Sequence, residues 1–162
     1  MALVPNDDFT AGQIFTATEA NAFGRGVLGY ESLTTSFATS ATHTTFQDEG
    51  LDASISYGAN RILKVTLSVR PYPNGGLQAI YYRVLRGSTE VAKWIVESVV
   101  LSASTAGHFM LEQVFTGPAA AGTETFKVQI AAATANTQVT SYGNTLGVDG
   151  PRQFWVEDLG KA

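Results

Sequence analysis

Few side chains in this sequence are suited to chemistry, and their spacing limits what that chemistry could be. The two imidazoles, His43 and His108, lie in a Thr-rich run and directly after Thr105-Ala106-Gly107. Neither has the H-E-x-x-H or related spacing that brings two ligands to one metal. No G-x-S-x-G turn offers an exposed nucleophile. The absence of cysteine excludes thiolate catalysis and disulfides alike. Asp48-Glu49-Gly50-Leu51-Asp52 is the densest acidic cluster; lacking the alternating oxygen ligands of a calcium loop, it reads as a solvated turn. Any two of the fourteen acids could meet in the fold as a hydrolytic pair, so chain spacing singles out none. Gly24-Arg25-Gly26-Val27-Leu28-Gly29 matches G-x-G-x-x-G, with Asp48 and Glu49 about twenty residues on. A dinucleotide site needs a strand before those glycines and a helix after them. Here the expected order is the reverse, so the glycines read as a helix stop and hinge. Tyr72, between Pro71 and Pro73, is a loop aromatic that could stack on a sugar or pack on its own turn. The sum is a non-enzymatic chain with no catalytic residue, no metal and no cofactor.

The elements that carry these residues are strands. Leu51, Ala53, Ile55 and Tyr57 alternate with Asp52, Ser54 and Ser56, the period of a half-buried strand. Leu63, Val65, Leu67 and Val69 alternate with Lys64, Thr66, Ser68 and Arg70. Pro71-Tyr72-Pro73-Asn74-Gly75-Gly76 reads as a turn or short loop, and residues 61–86 as one hairpin. Further strands are expected near 90–101, 108–116, 124–132, 137–142 and 153–157, and the Ser/Thr-rich run 33–45 reads as edge strands. Short strands at this spacing predict an all-β, antiparallel β-sandwich, not βαβ units. Several strands are apolar on both faces: Ile80, Tyr82 and Val84 against Ala79, Tyr81 and Leu85, and also Trp94-Ile95-Val96 and Phe154-Trp155-Val156. An antiparallel sandwich usually keeps one face of each sheet wet. The doubly apolar strands therefore predict packing against another copy, and a homotrimer is expected.

The N-terminal residues 1–29 form a separate arm ahead of a body at 30–162. Thr16-Ala17-Thr18-Glu19 fits a capping box, and Ala20 to Phe23 extend it into a short helix that Gly24 and Gly26 end. That helix is too short to be stable alone. Phe9, Ile14, Phe15 and Phe23 need a partner surface, which makes them the candidate partner-binding residues.

Composition narrows the partners. A hydrophobic fraction of 44% fits a globular protein. The first residues carry no basic start and apolar run, so no signal peptide is expected, and no apolar stretch is long enough for membrane insertion. Residues 1–52 hold seven acids and one base, whereas 61–93 hold six bases and one acid. Arg61, Lys64, Arg70, Arg83, Arg86 and Lys93 are spread over about three strands, so they read as solvated charges and no nucleic acid is expected as a partner.

Two segments carry a family resemblance. Phe9-Thr10-Ala11-Gly12-Gln13-Ile14-Phe15-Thr16-Ala17-Thr18-Glu19-Ala20-Asn21-Ala22 resembles the T-A-G opening common in bacteriophage minor tail and tail-fibre proteins. Phe154-Trp155-Val156-Glu157-Asp158-Leu159-Gly160 resembles their V-E-D-x-G ending, particularly in phages of actinobacteria. The strands between them resemble the tumour-necrosis-factor-like jelly rolls that phages use as trimeric knobs. The sequence lacks the shaft repeats and heptads of long fibres, which favours a compact component. The resemblance implies a virion protein made in the host cytoplasm, tail-associated, bound to other virion proteins through the arm, with a host cell-surface glycan as a further partner. A capsid decoration or head-fibre protein is the alternative within the same particle. A carbohydrate-binding or carbohydrate-cleaving module is the alternative of another class.

Overall fold

A computed structural model describes residues 23–39, 45–74, 79–97, 107–133, 138–141, 143 and 151–162. Eleven strands account for most of them: β1 Phe23–Leu33, β2 Phe37–Thr39, β3 Gln47–Tyr57, β4 Arg61–Val69, β5 Pro71–Asn74, β6 Ile80–Arg86, β7 Thr89–Val96, β8 Phe109–Thr116, β9 Gly122–Ala132, β10 Gln138–Ser141 and β11 Arg152–Lys161. They form a four-stranded sheet β1-β11-β4-β8, a second four-stranded sheet β3-β9-β6-β7 and a small sheet β2-β10-β5, antiparallel throughout. The first strand pairs with the last, the second with the second-last, the third with the third-last and the fourth with the fourth-last. That nesting is a long antiparallel ribbon rolled on itself, the pairing of a jelly roll. The expected all-β sandwich is the observed fold.

The two large sheets face each other across the alternating residues. Leu63, Val65 and Leu67 of β4 and Phe154 and Val156 of β11 meet Ile55 of β3, Tyr82 and Val84 of β6, and Phe126, Val128 and Ile130 of β9, all buried. Burying each such side chain contributes roughly 1.5–3 kcal/mol. The sandwich is pinched shut along both sides, β1 lying against β3 and β7 against β8. On the β1 side the pinch depends on Gly29, where an added Cβ would lie 2.1 Å from Ile55 Cδ1. Gly29→Ala is expected to destabilise by roughly 1–3 kcal/mol through overpacking. Ile55→Val removes the clashing methyl, so urea melts of the double variant should recover most of that loss.

Three expectations change. Residues 61–86 are not a hairpin: β4 sits between β11 and β8, while β6 sits between β9 and β7 in the opposite sheet. The chain crosses between sheets there, and the sequential hairpin is β6–β7, turned at Gly87 with φ +56°. Pro71–Asn74, read as turn, is the edge strand β5 paired with β10. The Gly24–Gly29 run is not a hinge but part of β1, with Gly26 at φ +71° beside a register shift. Such a bulge needs the left-handed conformation that glycine adopts freely. Of the helix expected up to Phe23, residues 16–22 lie outside the described residues, and Phe23 itself opens β1 opposite Gly160.

Candidate functional site

The paired strands of the first large sheet line up its outer side chains in three cross-strand rows. Val27, Glu157, Lys64 and Val114 form one; Tyr30, Trp155, Thr66 and Glu112 the next; Ser32, Gln153, Ser68 and Met110 the third. Among the described residues five large hydrophobics are exposed, and four of them stand on this face: Val27 (57%), Tyr30 (52%), Met110 (60%) and Val114 (48%). Trp155 lies half-buried between them. The fifth, Ile95, is on the outer face of the other large sheet opposite Tyr81.

The polar groups of the face already satisfy one another. Lys64 Nζ lies 2.5 Å from Glu157 and 3.4 Å from Glu112. Hydrogen bonding to Glu157 is the main cause of the raised Lys64 pKa. Thr66 donates to Glu112 at 3.3 Å, and Gln153 Nε2 donates to the Tyr30 hydroxyl at 2.6 Å. Ser68 Oγ and His108 Nε2 are 2.8 Å apart. That last pair has the types of a nucleophile and its base, but Ser68 is buried and among the described residues no carboxylate bonds the other ring nitrogen of His108. Among the described residues nothing orients the imidazole as a triad needs. The pair is a part-buried hydrogen bond.

The acidic cluster comes apart on folding. Asp48 and Asp52 point outward, each near Lys127 Nζ at 3.7 and 3.8 Å, while Glu49 turns inward at a bulge and pairs with Arg152 at 3.1 Å. Burial is the main cause of the raised Asp52 pKa; Lys127 opposes it, and Asp48 and Glu31 reinforce it. Among the described residues no cluster of three or more acids or imidazoles could hold a metal. The basic stretch disperses in the same way: Arg61 is buried against Asp158 at 2.9 Å, Arg86 meets Glu124 at 3.0 Å, and Arg83 bonds Gln129 at 2.7 Å. Arg83 and Lys93 flank the Phe46 ring at 4.1 and 5.6 Å.

A second polar group sits inside, where the three sheets meet. Arg152 Nε donates to Thr35 O at 2.9 Å and Arg152 Nη1 to Glu49 O at 3.0 Å, while Tyr82 and Ser141 close in on the Glu49 carboxylate. All four residues are buried. Desolvation pushes the Glu49 carboxyl up, against the pull of Arg152, and pushes the Tyr82 phenol well up. These buried groups join residues of all three sheets.

Of the sequence-predicted partner residues, Phe9, Ile14 and Phe15 lie outside the described residues, as does His43, and Phe23 is placed only by its backbone in β1. Tyr72 belongs to β5, half-buried and opposite Thr140. Sequence reasoning put Trp155 on a doubly apolar strand but missed Val27, Tyr30, Met110 and Val114, because the face exists only once β1 and β8 flank β11 and β4.

No family model matches the sequence, and no curated protein matches it. Among solved structures, the chain is similar to that of T=1 particles derived from infectious bursal disease virus, at 10% identity over 98% of this chain and 41% of that one, with a TM-score of 0.51. It is similar to the particles of a VP2 point mutant of the same virus at 11% identity, over 97% and 41%, with a TM-score of 0.50. The chain thus spans 41% of the length of those proteins, and the likeness is one of fold. A family 35 carbohydrate-binding module from an environmental isolate matches at 16% identity over 75% of this chain and 92% of the module, at a TM-score of 0.33 that carries no argument.

Proposed function

We propose that this chain is a structural, non-enzymatic component of a virus particle that assembles with copies of itself and joins other virion proteins through residues 1–22. The observation that carries the reading is the outer face of the β1-β11-β4-β8 sheet, which gathers four of the five exposed large hydrophobics of the described residues. Exposed large hydrophobics gathered on one face, around a polar centre, fit a protein interaction surface. Two further points support it. The fold is similar over nearly the whole chain to a capsid protein solved in particle form, and both terminal segments resemble phage tail proteins. A tail-associated position follows from that resemblance; a capsid decoration protein is the alternative.

The reading is tested by deleting residues 1–22, a cut placed just ahead of β1. The shortened chain should stay soluble, melt cooperatively and keep its oligomeric mass, yet fail to enter particles when supplied in place of the full chain. Incorporation at an undiminished level would overturn the role of the arm. A full-length chain sedimenting at 17.2 kDa at micromolar concentration would overturn self-assembly, and a threefold mass would establish the homotrimer expected from the doubly apolar strands.

A further inference from the structure

We propose that the outer face of the β1-β11-β4-β8 sheet binds the same face of a second copy, about a twofold axis running along the strands between β11 and β4. The inference rests on the self-assembly reading above and names the surface and symmetry involved. Such an axis lays β1 over the partner copy's β8 and β11 over its β4, and each row then meets its own reverse. Val27 faces Val114. Glu157 faces Lys64, acid on base, and Lys64 faces Glu157. In the next row the Tyr30 hydroxyl meets the Glu112 carboxylate, and Trp155 lies above Thr66, which its own chain already buries. In the third, Ser32 meets the exposed Met110. A twofold contact requires this self-complementarity, because one patch must serve as both partners.

Burial of the face leaves no charge stranded. Lys64 is already held by Glu157 and Glu112, Thr66 and Gln153 donate within the face, and Ser68 is paired with His108. The outer face of the other large sheet is a poorer candidate: Asp48, Asp52, Lys127, Arg83, Glu90 and Lys93 leave Ile95 as its one exposed large hydrophobic. Size is adequate too. Four strands about 4.8 Å apart and some nine residues long at about 3.3 Å each cover roughly 570 Å² before side-chain relief is counted. Doubled over two copies, that is about 1,140 Å², just under the roughly 1,200 Å² at which standard specific interfaces begin. An isologous contact closes at two copies, not at the three expected from doubly apolar strands.

The test uses the full chain in sedimentation and light scattering, with melting followed in parallel. The wild type should sediment at twice 17.2 kDa. Met110→Asp with Val114→Asp, both at exposed positions, should weaken association on the order of 100-fold by burying unpaired charge, with an unchanged melting profile measured on the monomer. Ile95→Asp, on the other sheet, should leave the dimer intact. A dimer or trimer that survives the double substitution overturns the face while leaving self-assembly standing. A monomeric wild type overturns both. A monomeric full chain that dimerises only after residues 1–22 are removed assigns the face to the arm and overturns the second copy as its occupant.

Discussion

Replacing Arg152 with methionine lowers the stability of the folded chain by about 3–5 kcal/mol at neutral pH, the cost of stranding one member of a buried ion pair. Arg152 and Glu49 are both buried, and the guanidinium also binds the carbonyls of Thr35 and Glu49. Methionine keeps the apolar stem and loses every one of those contacts. In a domain of this size the loss corresponds to roughly 6–20 °C in Tm. The effect depends on pH in a definite direction. Burial raises the Glu49 pKa from 4.5, so the folded chain holds that proton more tightly than the unfolded chain. Stability contributed by the protonated group is fully present below the unfolded value and is lost as pH rises through the folded one. Without Arg152 the carboxyl is raised further. The variant should therefore be closest to wild type near pH 4 and fall furthest behind above neutrality. Adding Glu49→Gln should flatten that dependence and restore part of the loss. Equal deficits at pH 4 and pH 8, in denaturant melts of both chains, would show that Glu49 is not the group left stranded.

Asp158→Asn should cost about 3 kcal/mol by the same physics. The single Nε–H of Arg61 is shared between the two oxygens of Asp158, at 2.9 and 3.0 Å, and the backbone N–H of Gly160 donates to Oδ1 at 3.0 Å. An amide preserves shape but can accept at only one atom, and it leaves a buried guanidinium uncompensated. The consequence is both local and global, because β11 lies between β1 and β4. Amide exchange should accelerate first in Ile62, Gly160 and Lys161, which pair across that end of the sheet. Exchange faster only in β6 and β7 would contradict the assignment. The V-E-D-x-G ending gains a physical meaning here. Val156 is core, Glu157 answers Lys64 on the outer face, Asp158 neutralises Arg61, and Gly160 turns at φ +125°.

The alternation of Leu63 through Val69 and of Leu51 through Tyr57 made those strands legible without coordinates, because a period of two survives any choice of partner. Partners themselves were not legible. Residues 61–86 looked like a hairpin since adjacent strands usually pair, whereas rolling the ribbon sends β4 and β6 to opposite sheets. Arg61 looked solvated, as most arginines are, and nothing in the spacing singled out Arg152; each is buried against an acid 97 or 103 residues away in the chain. Glu49 was grouped with Asp48 and Asp52 by adjacency, and only the bulge opposite β9 turns it to the inside. The doubly apolar strands predicted an interface but did not mark which exposed side chains the outer face gathers. Tyr30 and Val27 sit in a glycine-rich stretch that carries little strand signal, and only pairing with β11 recruits it.

The place of β11 also governs when the molecule can exist. β1 and β4 do not touch except through β11, so the first large sheet remains two unconnected pieces until Arg152–Lys161 has been synthesised. At about 5–20 residues per second, a ribosome needs roughly 7–28 s to travel from Phe23 to Lys161. Until β11 arrives, β4 has only β8 beside it and β1 stands apart, and closure then brings together residues from opposite ends of the ribbon, a slow step for any chain. A nascent chain of this design can close its first large sheet only once β11 has emerged.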